Sequence, residues 1–68
     1  MLRAKQDTFS LVLRERGWSQ ERLAKETGID PAYLSRVLHQ RANPSSRFLG
    51  GLLKTFPERR FEDFFEVS

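Results

Sequence analysis

The stretch between residues 19 and 39 constrains the fold of this chain most, because it contains two helix start signals separated by one stop signal. The serine at its beginning can accept a hydrogen bond from a free amide of the next turn. Gly28 stands where a helix ends in the left-handed conformation, which glycine adopts at low cost. Asp30 is a good N-cap, and Pro31 at the first helical position loses no hydrogen bond. We therefore predict one helix from about 20 to 26 and another from residue 31.

The first of these helices has a narrow apolar face and cannot be stable alone, so it must pack against other parts of the chain. The first contributes Leu23 and Ala24. In the second, apolar residues recur at helical spacing and the other face carries small and polar side chains: Leu34, Val37 and Leu38 against Ala32, Ser35, Arg36 and His39. Other helices must therefore cover the apolar side, which leaves the second helix with a small-residue front that includes an arginine.

The segment SQERLAKETGIDPAYLSRVL resembles the helix-turn-helix of the phage repressor and Cro-type (XRE-like) family. The usual pattern of that family is S/T-Q-x-x-L-A-x-x-x-G-[VI]-x-x-x-x-[IL]-S. The residues that fall on it in register are Ser19, Gln20, Leu23, Ala24, Gly28, Ile29, Leu34 and Ser35. The resemblance extends weakly over residues 7–66. It implies an all-α, compact five-helix, lambda-repressor-like domain that occupies residues 1–68.

An earlier helix is predicted from about Asp7 to Arg16, since three apolar side chains recur there at helical spacing. Asp7 or Thr8 can cap it. Trp18 is then expected to pack over the junction with the next helix. Residues 1–6 are expected to form a flexible arm, whose basic side chains can touch phosphates or a minor groove.

A fourth helix is predicted from about Ser46 to Thr55, with Ser45 or Ser46 as its cap. Gly50 and Gly51 lie inside it, and each costs roughly 1 kcal/mol relative to alanine. We therefore expect either close packing at these two positions or a break in the helix.

A fifth helix is predicted from Glu58 to Val67, with Phe61, Phe64 and Phe65 at helical spacing. The three rings can bury one another and close the core. Alternatively, their surplus forms a self-complementary apolar patch, and the resemblance implies a dimer interface at this end.

Gln40 departs from the family pattern, in which glycine usually ends the second helix of the motif. That helix is therefore expected to run on by one residue or to end with a less favourable cap. Pro44 disfavours helix at Asn43, so a loop should follow.

Basic and acidic residues are unevenly distributed along the chain, whose net charge is +3. Residues 1–56 contain ten basic and five acidic side chains, whereas residues 57–68 contain two and four. No carboxylate occurs between Pro31 and Phe56, where the basic residues are Arg36, Arg41, Arg47 and Lys54. A polyanion is expected to bind this segment, because phosphate neutralisation provides most non-specific DNA affinity. The alternative is a solvated face that happens to lack acids.

The composition argues against several other classes of protein. A chain of 68 residues holds one small domain, and without cysteine it has neither a disulfide nor a thiolate metal site. One histidine is too few for the common metal sites, and there is no catalytic Ser/His/Asp set or glycine-rich phosphate loop. The longest apolar run, from Leu11 to Leu13, cannot span a membrane, and the N-terminus does not resemble a signal peptide. We expect a cytoplasmic, non-enzymatic protein without metal or cofactor, and the family resemblance implies a prokaryotic or phage origin.

The resemblance implies that the second helix of the motif lies in the major groove of DNA. The base-contacting positions correspond to Pro31, Ala32 and Arg36. Arg36 can donate two hydrogen bonds to O6 and N7 of a guanine, whereas Pro31 and Ala32 can only touch thymine methyl groups. Tyr33 and His39 lie at the margin. For Tyr33, a bond from its hydroxyl to a phosphate and a ring partly buried between helices both remain open.

Contacts to the DNA backbone fall to other residues. The resemblance implies this role for Gln20, at the N-terminus of the first motif helix, where the helix dipole assists it. The further candidates are Arg41 and Asn43, in the loop after the reading helix, and Arg47, at the next helix start.

These expectations favour sequence-specific binding to double-stranded DNA by a homodimeric transcriptional regulator, repressor or Cro-like, that recognises an inverted repeat. The alternative is a protein-binding module of the same shape, such as an antitoxin-like partner that docks through the Phe-rich C-terminal helix. A pure protein binder has little reason to keep the acid-free segment, which favours DNA. A third alternative is the DNA-binding part of a longer repressor.

Overall fold

The computed structural model describes residues 2–67, which form five helices and two short strands around one core. In chain order these are β1 (Leu2–Ala4), α1 (Gln6–Arg16), α2 (Gln20–Thr27), α3 (Pro31–Leu38), α4 (Ser46–Thr55), α5 (Phe61–Phe64) and β2 (Phe65–Val67). The five predicted helices are present. A purely helical class is not what the structure shows, because β1 and β2 pair as an antiparallel sheet.

The starts of three helices confirm the predicted caps. The accepting side-chain oxygens are Ser19 Oγ, 3.2 Å from the Arg22 amide, Asp30 Oδ2, 3.1 Å from the Ala32 amide, and Ser45 Oγ, 3.1 Å from the Phe48 amide. The predicted cap of α1 is wrong, because that helix begins before Asp7 and Thr8 and has Lys5 at its N-cap without a side-chain bond. Its start is held instead by the end of α5, since the Lys5 amide donates to the Phe64 carbonyl at 2.7 Å.

Helices α1, α2 and α3 all end in a left-handed residue. The φ angle is +68° at Gly17, +73° at Gly28 and +62° at Gln40. In each case the following amide donates to a carbonyl of the last helical turn: Trp18 to Leu13 at 2.9 Å, Ile29 to Ala24 at 3.0 Å and Arg41 to Arg36 at 2.7 Å. Helix α3 therefore ends in the same turn as the other two without the glycine that favours it, which confirms the less favourable cap.

The core is built mainly from phenylalanine. The fully buried rings of Phe9, Phe56 and Phe64 lie in contact, with centroids 5.0 Å apart for Phe9 and Phe64 and 5.8 Å apart for Phe56 and Phe64. The motif helices α2 and α3 contribute the buried side chains Leu23, Ala24, Leu34, Val37 and Leu38. The predicted apolar side of the motif is thus covered by the rest of the domain.

The two adjacent glycines of α4 have different environments, although the helix runs unbroken through both. A Cβ atom on Gly51 would lie 2.9 Å from the Thr27 carbonyl oxygen of α2, closer than real Cβ contacts allow. A Cβ atom on Gly50 would meet nothing within 4 Å. Close packing is therefore confirmed for Gly51 and wrong for Gly50.

The predicted fifth helix from Glu58 to Val67 is wrong in its extent. Helix α5 covers only Phe61–Phe64, and Phe65 is extended, with φ of −136° and ψ of 152°. This change of conformation lets the consecutive rings of Phe64 and Phe65 both enter the core, where they are 0% and 2% exposed. In a continuous helix, neighbouring side chains would point about 100° apart.

The predicted flexible arm is also wrong for residues 2–6, while Met1 lies outside the described residues. Strand β1 pairs with β2 in the register Leu2 to Val67, Arg3 to Glu66 and Ala4 to Phe65. Ala4 is buried, and the Lys5 ammonium donates to the Glu62 carbonyl at 2.9 Å. The start of the chain is therefore part of the folded domain.

Candidate nucleic-acid interface

Helix α3 turns the predicted base-contacting residues outward. Pro31, Ala32 and Arg36 are exposed. The opposite face of the helix is held by side chains that are at most 2% exposed: Leu34, Val37 and Leu38. Packing of these three side chains in the core therefore fixes the orientation of the exposed face of α3.

The polarity of α3 changes along its length. At its start, the Asp30 carboxylate accepts from the amides of Ala32 at 3.1 Å and Tyr33 at 3.3 Å, so two of the free amides are already bound. The next exposed side chains, Pro31 and Ala32, are apolar. At its end lies Arg36. The attraction for an anion is thus concentrated at the C-terminal half of the helix.

An open depression borders that half of α3, and its lining brings together Arg36, His39 and Arg41 with Ser35. Nδ1 of His39 lies 2.8 Å from the Ser35 carbonyl oxygen, which can only accept, so this contact requires the proton on Nδ1. The other ring nitrogen of His39 then remains for a partner. The two guanidinium groups around this depression can donate to phosphate oxygens, whereas the unprotonated ring nitrogen of His39 accepts and requires a donor.

The loop after α3 is attached to the helix through Tyr33. The Tyr33 hydroxyl donates to the Asn43 carbonyl at 2.5 Å, and the ring is half-buried. The ring also lies 5.9 Å from the Arg36 guanidinium carbon. Of the two alternatives for Tyr33, the partly buried ring is the one observed. Its hydroxyl is engaged within the protein and holds the loop that carries Arg41 and Asn43.

The two remaining backbone candidates lie at helix starts. Arg47 reaches from the first turn of α4 to the turn between α2 and α3, where its Nε would lie 3.6 Å from a Cβ atom on Gly28. Gln20 is exposed at the first position of α2, beside the Ser19 cap. Neither belongs to the lining of the depression at the end of α3.

Ion pairs are found elsewhere on the molecule. Among residues 2–67 the pairs are Arg16 with Glu58, Arg22 with Glu26 and Arg59 with Glu15. Within that part of the chain, the basic side chains between residues 31 and 56 have no carboxylate within 4.0 Å. The acid-free segment of the sequence is therefore also free of intramolecular ion pairs in the fold.

A model of the family described as helix-turn-helix matches residues 11–64, which include α2, α3 and α4 entirely. The chain belongs to the helix-turn-helix family. The resemblance to its XRE-type members is thereby confirmed, and the family consists of DNA-binding regulatory domains. No curated protein and no solved structure matches the chain.

Two features of this helix-turn-helix domain escape the sequence analysis. One is the attachment of the loop by Tyr33, and the other is the side chain of Gln40, which donates to and accepts from the backbone of Ala4. Gln40 stands where the family usually has glycine, which signals an unusual turn but does not identify Ala4 as its partner. Nothing in the sequence signals the Tyr33 contact. Residues 2–67 contain no helix long and apolar enough to cross a membrane and no cluster of metal-ligating side chains.

Proposed function

We propose that this protein binds a specific double-stranded DNA operator and regulates transcription, as a repressor or Cro-like factor. One observation carries this proposal beyond the family: exposed Arg36, Arg41 and His39 surround one depression at the end of α3, and none of them forms an ion pair within residues 2–67. A DNA phosphate or a guanine edge supplies acceptors for the two guanidinium groups.

Within this proposal Arg36 is the main base-reading residue. It is exposed on α3, and the Tyr33 ring restricts its guanidinium group from one side. Pro31 and Ala32 precede it as apolar surface suited to thymine methyl groups. The backbone contacts belong to the residues that flank the helix: Gln20, His39, Arg41, Asn43 and Arg47. Because so few side chains can read bases directly, the shape and deformability of the operator should also determine specificity.

We further propose that the protein binds as a homodimer to an inverted repeat. The molecule measures 29 × 23 × 19 Å, so two copies fit side by side on half-sites about 34 Å apart. Phe64 and Phe65 are buried in each monomer, so of the three proposed interface rings only half-buried Phe61 has surface for a partner. Val67 in β2, 83% exposed, is a further exposed apolar side chain near the end of the chain.

The same burial argues against the alternative of a protein-binding module that docks through its phenylalanines. Two of the three rings that would form the docking face are part of the core. The exposed basic residues at the end of α3 would have no role in such docking.

Selection from a pool of random duplexes, followed by competition gel shift, tests the proposal. We expect an enriched inverted repeat with half-site centres one helical turn apart and a shift of two protein copies per duplex. Recovery of no enriched sequence, with affinity that depends only on salt, would rule out sequence-specific regulation. Enrichment of a single half-site bound by one copy would rule out the dimer alone.

A further inference from the structure

The Gln40 side chain joins the end of the reading helix to the start of the chain. Its Oε1 accepts from the Ala4 amide at 2.8 Å, and its Nε2 donates to the Ala4 carbonyl at 3.1 Å. Nε2 also lies 3.3 Å from the Leu38 carbonyl at the end of α3. The carboxamide thus pairs with both polar backbone groups of Ala4, as a neighbouring strand would.

Gln40 has a backbone conformation that is unfavourable for glutamine, so its side-chain bonds must compensate for a cost. In residues 2–67 it is the sole residue other than glycine with a positive φ. A left-handed glutamine is less favourable than a glycine, which occupies the equivalent position at Gly17 and Gly28. The carboxamide bonds offset this cost, and glycine could not make them.

Gln40 also precedes the loop that lines the depression. The next amide, that of Arg41, donates to the Arg36 carbonyl at 2.7 Å, and the far end of the loop is held by the Tyr33 hydroxyl at Asn43. The loop is therefore attached at both ends, once through β1 and once through α3. Without the Gln40 bonds, the end of α3 would be held to the start of the chain by Gln6, whose side-chain amide donates to the Leu38 carbonyl, and Arg41 would be held by its backbone amide alone. The Arg41 side chain would then be positioned less firmly beside Arg36.

We infer that Gln40 is a positioning residue for DNA binding, which holds Arg41 at a phosphate by fixing the α3 end to β1. This inference deepens the proposed function and rests on it. The partly buried bonds between the Gln40 side chain and the Ala4 backbone would thereby affect DNA binding, although Ala4 itself does not contact DNA.

The test compares the full-length wild type with Gln40→Gly, which suits the backbone angle but lacks the carboxamide. Affinity for operator and for unrelated duplex should fall alike, by about three- to tenfold, and the slope of log affinity against log salt should shrink by about 0.9, the value for one phosphate. Arg41→Ala should reproduce both changes. In the Arg41→Ala background, Gln40→Gly should have almost no further effect on affinity or slope.

A second variant and a control separate positioning from simple destabilisation. Gln40→Asn keeps an amide and tolerates a positive φ, but its shorter side chain cannot reach Ala4, so it should behave as Gln40→Gly does. Gly17→Gln places a glutamine at φ of +68° with no atom within 4 Å of its Cβ. It should lower thermal stability and leave the salt slope unchanged. Amide exchange at Ala4 should accelerate in both Gln40 variants and not in the Gly17 variant.

Three results would overturn the inference. The first is an unchanged salt slope in folded Gln40→Gly. The second is that the affinity losses of Gln40→Gly and Arg41→Ala add up in the double variant. Both results leave the proposed function intact. A wild-type protein that retains no duplex at low salt would overturn this inference and the proposed function together.

Discussion

Two groups of arginines in this small domain differ in whether other groups of the protein use their hydrogen-bond donors. Arg16 donates to the Thr55 carbonyl at 3.0 Å and lies 4.6 Å from the Phe56 ring centroid. Arg22 lies 2.6 Å from the Glu26 carboxylate, and Arg59 lies 3.4 Å from Glu15. We call Arg16, Arg22 and Arg59 the paired arginines. Their donors are at least partly used by the protein itself.

The second group consists of Arg36, Arg41 and Arg47, which we call the open arginines. Within the described residues, none of them has a carboxylate within 4.0 Å, and their contacts are the Tyr33 ring for Arg36 and the Gly28 turn for Arg47. A guanidinium group has five donors, so these side chains keep most of their bonding capacity for a partner. Net charge alone does not distinguish the two groups, whereas their neighbours do.

Neutralising each group in turn should give the largest difference in DNA binding. The triple change Arg36→Gln, Arg41→Gln and Arg47→Gln should lower operator affinity on the order of a hundredfold or more and reduce the salt slope by about 2.7, the value for three phosphates, or by less if Arg36 binds a base. The same substitutions at the paired arginines remove equal charge. Fluorescence anisotropy over a range of salt concentrations measures both quantities.

For the paired-arginine triple variant, we expect an affinity loss of no more than about fivefold, from the change in the long-range field alone. Circular dichroism confirms that each triple variant is folded before binding is measured. Equal losses in the two variants would show that overall charge, and not the arrangement of partners, governs binding.

Within the open group, Arg36→Ala should have the largest single effect. Loss of a bidentate guanine contact costs roughly 1 to 3 kcal/mol and relaxes preference at one base pair. Arg36→Lys keeps the charge and should recover only part of the affinity, because an ammonium lacks the planar pair of donors. Binding to operators with each base changed in turn locates the affected pair. A uniform loss over all sequences would instead assign Arg36 to the backbone.

Arg41→Ala should have a smaller and different effect. A phosphate contact carries no sequence information, so all duplexes should lose affinity alike and the salt slope should fall by about 0.9. The selected operator should therefore be the same for the variant and the wild type. A changed preference at any one base pair would contradict this assignment.

The helix-turn-helix region was largely predictable because its signals are local. Ser19, Asp30 and Pro31 act within one helical turn, and Gly28 acts at its own φ angle. Each of these effects depends only on residues nearby in the chain, so a single sequence contains the information. The exposure of Arg36 follows from the same helical periodicity.

The parts that sequence reasoning missed depend on residues far apart in the chain. Strand β1 has only three residues, too few for an alternating pattern, and it forms because β2 lies beside it at the other end of the chain. The positions of Phe64 and Phe65 in the sequence are compatible with a continuous helix. They are equally compatible with the observed change from helix to strand, which buries both rings. The partner of Gln40 is Ala4, 36 positions away, and nothing local indicates it.

The smallest expected effect is on stability rather than on DNA binding, and it tests the contacts of the paired arginines. Arg16→Ala should lower the free energy of unfolding by about 1 kcal/mol, because it removes the Thr55 hydrogen bond and the stacking on Phe56 and Trp18. Its pair with Glu58, at 3.8 Å between partly exposed groups, should add little. Arg59→Ala is the matched control, since the Arg59 side chain pairs with the exposed Glu15 carboxylate, and it should cost less than about 0.5 kcal/mol. Urea denaturation measures both values. If the two variants lose equal stability, neither the Thr55 hydrogen bond nor the aromatic stacking of Arg16 contributes measurably to the free energy of unfolding.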